Sequence, residues 1–339
     1  MARVRLIDVA RRAGVSAKTV SNVVNGTGAV SEKKRVEILA VIDELGYRPN
    51  RSARQLRTGS SGLVALGMPD LREPYFAEFA SAFFTSAQRR GVTVVVWQTH
   101  GDLETERAFL EGEGMPELEG IVMSPLRLSS DDIAKRRSAL PLVLIGEHGH
   151  GLATPENPHV GVDNIEAARA ATHLLLSKGR QRIAVIGAQE GGSTATSKMR
   201  MEGYRRALRD AGIAPDPSLT GWVIEFNRAE GSAAAERLLA ARADFDGLFC
   251  FNDTLAFGAL YTLAIHGVSV PGRVAVVGFD AIEEGRFSTA QFASVDPNSA
   301  KVSESILDLI LGAERAPVPG GHLVLPFGIV DHELPRIPD

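Results

Sequence analysis

One cysteine, Cys250, serves 339 residues. It excludes an internal disulfide and any zinc site built from cysteines alone. No stretch nears the roughly 18 consecutive apolar residues of a membrane span. The opening MARVRLIDVARRAG lacks the apolar region of a secretory signal, so the expectation is a cytoplasmic protein with no membrane association. No G-x-S-x-G or H-E-x-x-H element occurs. The glycine-rich GAQEGGS (187–193) lacks the G-x-G-x-x-G spacing of a dinucleotide site. These absences speak against an enzyme, a metal and a cofactor. His148, His150 and His159, around GEHGHG, have metal-like spacing but are expected in a surface loop.

What is present is ordinary in bulk and uneven in distribution. Hydrophobic residues make up 44% and charged residues 23%, a globular composition, and the length suits two or three domains. The net charge of −4 hides an asymmetry. Residues 1–58 carry twelve Lys/Arg against five Asp/Glu, a net +7, and the remainder carries −11. A basic head on an acidic body fits a head that meets a polyanion, although a solvated charged face would give the same count.

The head reads as short helices. The first runs from about Leu6 to Ala13 and stops at Gly14. The second opens at Ser16, an N-cap, and runs to Asn25 with Val20, Val23 and Val24 on one face. Ser31 caps a third, with Ile38, Ile42 and Leu45 on one face and Gly46 past its end. After Pro49, Asn50 caps a fourth, RSARQLRT, and TGSSG (58–62) is a joint.

From Leu63 onward, apolar runs alternate with amphipathic segments. The runs are 63–68, 92–97, 120–124, 142–145, 182–187, 247–251 and 274–279; the segments are 75–90, 164–178, 197–211, 230–241 and 254–266. This alternation predicts parallel sheets covered by helices, and nearly 280 residues of it predict two doubly wound α/β lobes. HVGVDN (159–164) reads as a crossing between them. The expected division is a helix-turn-helix domain at 1–49 and a hinge helix and linker at 50–61. One lobe follows at 62–160 plus 293–322, and the other at 161–292 plus 323–339.

Helix, GVS turn and helix over residues 6–25 form a helix-turn-helix pattern. Gly14 suits the tight turn, Val15 plugs the angle between the helices, and the second helix exposes Ala17, Lys18, Ser21 and Asn22. Small and polar residues on an exposed face are what a helix entering the major groove requires. The stretch LIDVARRAGVSAKTVSNVVNG…VSEKKRVEILAVIDELGYRPNRSARQLRTG closely resembles the head of the LacI/GalR family of bacterial transcription regulators, without gaps over about 55 residues.

The resemblance implies a homodimer on a pseudo-palindromic double-stranded operator. Ala17, Lys18 and Asn22 then sit where the family reads base edges. Ser16, Thr19, Ser21, Asn25 and Ser31 sit where it contacts phosphate or supports those contacts. Asn50 opens the hinge helix, Ala53 faces the minor groove, and Leu56 is the leucine inserted at the central base step. Arg5 stands where the family often has a threonine cap, which implies a less firmly started first helix.

The body resembles the two-lobed sugar-binding fold, with the ligand in the cleft at the carboxyl ends of the strands. Tyr75, Phe76, Ser124 and Glu147 match its pocket from the first lobe, and Arg200, Phe226, Asn252 and Asp280 from the second. Glu147-His148 replaces the family's usual Asp-Arg. Pro297 stands where some sugar receptors have a glutamine. Two acids and one arginine suit a neutral mono- or disaccharide, with a nucleobase as the alternative in the same fold. The implied function is a ligand-responsive transcription regulator, expected to repress. Rival readings are a sugar receptor that binds no DNA and an α/β enzyme. The ending HELPRIPD has no apolar heptads, so a dimer is expected rather than a tetramer.

Overall fold

The structure, a computed structural model, describes residues 4–25, 27–47, 60–190, 194–312 and 317–331. The expected hinge, with Asn50, Ala53 and Leu56, lies outside the described residues, as do the Asn25 side chain and the final eight residues. The chain divides into two compact units, Met1–Gly62 and Leu63–Asp339.

In the first unit, α1 (Leu6–Ala13), α2 (Ala17–Asn25) and α3 (Glu32–Glu44) pack around Val9, Ala10, Val20, Val23, Ile38 and Tyr47. Gly14 ends α1 at φ +65, a left-handed conformation that glycine adopts without a Cβ penalty. Arg5 cannot cap α1 with an acceptor. Asp8 compensates from the first turn, accepting the Arg5 backbone N–H at 2.9 Å. Of the expected apolar face of α3, Ile38 is buried, while Ile42 and Leu45 are half-buried.

The second unit holds two six-stranded sheets. The first lobe runs β1 (Leu63–Met68), α4 (Pro74–Arg89), β2 (Thr93–Gln98), α5 (Leu103–Glu111), β3 (Gly120–Met123), α6 (Ser130–Ala134), β4 (Leu142–Leu144), α7 (Gly146–His150) and β5 (His159–Val162). The second runs α8 (Asn164–Ser177), β6 (Ile183–Ala188), α9 (Ala195–Asp210), β7 (Thr220–Trp222), α10 (Arg228–Ala240), β8 (Gly247–Cys250), α11 (Asp253–Ile265), β9 (Ala275–Phe279) and β10 (Ala293–Asp296). The chain then returns through α12 (Ser299–Leu311) and β11 (His322–Leu325) and crosses once more into β12 (Gly328–Asp331).

The strand orders are β11-β5-β4-β3-β1-β2 and β12-β10-β9-β8-β6-β7. Every pairing is parallel except β10 with β12. Parallel sheets need helices on both faces, and the strands show it. Val64, Leu66 and Met68 enter a core with Phe79 and Phe83 of α4 and Ile306 of α12, while Ala65 faces the opposite core with Phe109 and Leu110 of α5.

The structure moves two expected boundaries. Residues 293–296, expected in the first lobe, are β10 and pair with β9 and β12 in the second sheet, so the return crossing comes at Pro297. Leu323–Leu325, expected in the second lobe, continue β11 beside β5. The GEHGH segment is the short helix α7 rather than a loop.

One buried acid shapes the first lobe near its strand ends. Glu106 of α5 has no exposed surface, and its carboxylate accepts the backbone N–H groups of Leu126 (2.7 Å), Arg127 (2.9 Å) and Leu128 (3.1 Å). The loop after β3 thus takes its path from one side chain. Glu106→Ala would leave these donors without an acceptor and should cost roughly 3 kcal/mol. A lowered unfolding midpoint of residues 63–331 in urea checks this; an unchanged midpoint would remove Glu106 from that role.

Candidate functional site

In the head, the exposed side of α2 follows from helical spacing. Val20 and Val23 point into the core, so Lys18 and Asn22, four apart, share another face. Lys18 is exposed; Ala17, Thr19, Ser21 and Asn22 are half-buried. Ser16 caps α2: its Oγ accepts the Thr19 N–H at 3.1 Å and bonds the Thr19 hydroxyl at 2.8 Å. The Asn22 amide lies against Gly28 (φ +76), where a Cβ would come within 2.5 Å of Asn22 Nδ2. Ser31 caps α3, accepting the Lys34 N–H at 3.4 Å.

In the body, the lobes meet over a cavity of about 40 Å³. Tyr75, Phe79, Glu147, His159, Val160 and Val302 line it from the first lobe. Asn164, Arg200, Phe279 and Asp280 line it from the second, with Pro297 at the crossing. Arg200, on α9, is the central group. Its Nε donates to Asn164 Oδ1 at 2.9 Å, one terminal nitrogen donates to the Phe251 carbonyl, and the other reaches Glu147 Oε1 across the cleft at 2.9 Å. The guanidinium lies 3.4 Å from the centroid of the Phe279 ring, and Asp280 Oδ1 is 3.9 Å from it.

Three first-lobe carboxylates span to the second lobe. Glu147 takes Arg200 and also accepts the Thr196 hydroxyl at 2.7 Å. Glu73 accepts the Thr254 hydroxyl, and Glu78 accepts the Glu283 N–H at 2.8 Å. Burial works to raise the Glu147 carboxyl, but Arg200 and Thr196 outweigh it and hold it below the ordinary range. Burial lifts Asp280 well above its ordinary value against the pull of Arg200, and raises Glu73 despite its bond to Thr254. The Tyr75 phenol is raised by burial, with Asp280 and Glu147 adding to the effect.

Of the eight body residues expected in the pocket, Tyr75, Glu147, Arg200 and Asp280 line this cavity. The other four lie elsewhere, each for a local reason. Phe76 packs against the first-lobe core, and Phe226 packs on the second, its ring 6.3 Å from Phe251. Asn252 is the cap of α11, its Oδ1 accepting the Leu255 N–H at 2.8 Å. Ser124 is buried behind Gly146, where a Cβ would stand 2.8 Å from its Oγ.

The histidines also differ from expectation. His159 is buried at the start of β5 and faces the cavity, and burial among neighbouring imidazoles pushes it down to about 4. His150 stacks on His322, their ring centroids 4.1 Å apart, and His148 bonds the Leu128 carbonyl at 2.7 Å. Among the described residues, no group of histidines, cysteines and acids has the geometry to hold a metal ion. No described helix is long and apolar enough to cross a membrane.

Comparison with known proteins agrees with both units. Residues 5–50 match the model for bacterial regulatory proteins of the lacI family. Residues 61–316 match that for periplasmic binding proteins and the sugar binding domain of the LacI family. The chain is 29% identical over 330 residues to the HTH-type transcriptional regulator GalS of Salmonella typhimurium, covering 96% of this chain and 95% of that one. It is 30% identical over 317 residues to the HTH-type transcriptional regulator DegA of Bacillus subtilis, covering 91% and 88%. Among solved structures, the transcriptional regulator CelR–cellobiose complex aligns with a TM-score of 0.68 at 29% identity, over 97% of this chain and 99% of that one. A helix-turn-helix unit and a two-lobed α/β unit in one chain, each matched by its own family model, place this protein in the LacI family: it is a DNA-binding transcription regulator, not an enzyme.

Proposed function

We propose that this regulator is a repressor that binds a pseudo-palindromic operator as a homodimer and responds to a neutral mono- or disaccharide held between its lobes. The carrying observation is the cavity wall. One arginine, already engaged by Glu147, lies against Asp280 and the Phe279 ring, and Tyr75 and Phe79 line the same cavity. With Arg200 already paired to Glu147, the described lining offers no spare positive charge to a phosphate or carboxylate, while carboxyl groups and a guanidinium bond well to hydroxyls and aromatic faces cover the apolar side of a sugar ring. The cellobiose of the CelR complex supports the same ligand class.

Residues for each step can be named. Lys18 and Asn22 on the free face of α2 read bases, with Ala17 beside them. Ser16, Thr19, Ser21, Asn25 and Ser31 support the phosphate side, and Asn50, Ala53 and Leu56 form the hinge. Tyr75, Glu147, Arg200 and Asp280 contact the effector. Glu147, Glu73 and Glu78 bridge the two lobes, so a parting of the lobes to admit a ligand breaks these bonds. Such a two-state cleft needs only about 1.4 kcal/mol of coupling to change operator affinity tenfold.

Homodimer formation is supported by apolar side chains left in solvent. Tyr261 and Ile265, one turn apart on α11, are 64% and 63% exposed, Phe287 is 77% exposed and Ile224 is 81% exposed. Adjacent exposed apolar groups mark association surfaces, and Tyr261 with Ile265 form such a pair on one helix.

A thermal-shift series with cellobiose, other mono- and disaccharides and nucleobases tests the ligand class, because a bound ligand stabilises the fold by mass action. A saccharide should raise the melting temperature; a shift given by a nucleobase alone would replace the sugar reading. Arg200→Ala should abolish that shift and the release of operator while leaving operator affinity within about threefold; loss of operator binding as well would count against a pocket role. Lys18→Ala should weaken specific binding by about 1–3 kcal/mol and relax one base position in a selection on randomised operators. An unchanged preference would take Lys18 out of the readout.

A further inference from the structure

Asp253 is the first residue of α11 and has no exposed surface. It does not line the cavity, yet its carboxylate collects donors from the segment that does. Oδ1 accepts the Ser294 hydroxyl at 2.6 Å, and Oδ2 accepts the Ile282 N–H at 3.0 Å. Ser294, itself buried, accepts the Ala281 N–H at 3.0 Å, and the Asp280 N–H goes to the Val295 carbonyl at 2.8 Å. Three successive amides of the corner, Asp280 to Ile282, are thus accounted for, two of them by Asp253 directly or through Ser294.

This corner requires holding. Asp280 has φ +105 and Ala281 φ +48, two successive non-glycine residues in left-handed backbone. Such conformations persist where surrounding bonds over-determine them. Gly278 shows how tightly the carboxylate is seated: a Cβ there would collide with Asp253 Oδ1. The corner also delivers the two groups that face Arg200, the Phe279 ring at 3.4 Å and the Asp280 carboxylate at 3.9 Å.

We propose that Asp253 is a positioning residue for effector recognition: it fixes the Phe279–Ile282 corner and so aims Asp280 and Phe279 at Arg200. The proposal rests on reading the cavity as the effector site. The next residue adds a link, since Thr254 donates to Glu73 of the opposite lobe. The first turn of α11 therefore touches both the ligand-facing corner and a bridge across the cleft. The titratable and charged groups around Asp253 are Arg200, Asp280 and the Cys250 thiol. Burial pushes Asp253 up to about 7 against the Ser294 bond, so its charge changes within the range accessible to the folded protein.

The test is hydrogen–deuterium exchange on the full-length chain, comparing the parent with Asp253→Asn and with the milder Ser294→Ala at pH 6, 7 and 8, corrected for intrinsic exchange. Asp253→Asn should speed exchange of the 279–282 amides at least tenfold and leave β6 and β8 unchanged; Ser294→Ala should loosen Ala281 most. The parent's corner should change its protection between pH 6 and 8, and the Asn variant should not. Uniform loosening of the whole lobe, or no change at the corner, would overturn the assignment. Cellobiose is the ligand probe: Asp253→Asn should need at least tenfold more of it for the parent's thermal shift, and an equal response would also overturn it. A parent blind to cellobiose, with a corner that loosens as stated, would strike the cellobiose reading and leave the positioning role standing.

Discussion

A guanidinium buried between two lobes is the constraint on which the site depends. Arg200 is 4% exposed, and a buried guanidinium with five N–H donors requires a partner on each of its faces. The fold supplies them from five places: Asn164 at the start of α8, the Phe251 carbonyl after β8, the Phe279 ring and Asp280 at the end of β9, and Glu147 from the other lobe. Four of these belong to the second lobe and stay with the arginine in any arrangement of the cleft. Glu147 alone is contributed by the first, which makes this ion pair sensitive to lobe separation.

The same logic governs the remaining bridges. Glu73 and Glu78 meet a hydroxyl and a backbone N–H, partners that water can replace when the cleft opens. A cleft held by three acids and largely neutral donors can exchange those bonds for bonds to water as it opens.

Much of the architecture was legible in the sequence because the long strands are buried on both sides. LVALGM, IAVIGA and AVVGF read as apolar runs, and their helices show the 3.6 period. The Gly14 turn and the Ser16 and Ser31 caps were legible for the same local reasons. The short outer strands were not. TGW, ASVD, HLVL and GIVD are three or four residues long and mixed in polarity, so 293–296 was assigned to the wrong lobe. Helix α12 carries a legible stripe at Val302, Ile306 and Ile310, but its side of the cleft depends on the crossing at Pro297. In the cavity, Arg200, Glu147, Tyr75 and Asp280 are positions that the family resemblance implies. His159, Phe79 and Val302 are not among them, because only the tertiary fold brings them together. Asn252 shows the converse: a polar residue after a strand faces its own helix when that helix needs a cap.

The three passages of the chain between lobes, after Val162, after Asp296 and after Leu325, lie together in neither sheet. Triple connection resists sliding and leaves bending as the soft motion, as three pins on one edge make a door. The polypeptide enters this part of the molecule at Leu63, on the first-lobe side of that door. Any swing of that leaf moves Leu63, the residue at which this unit follows the basic head in the chain.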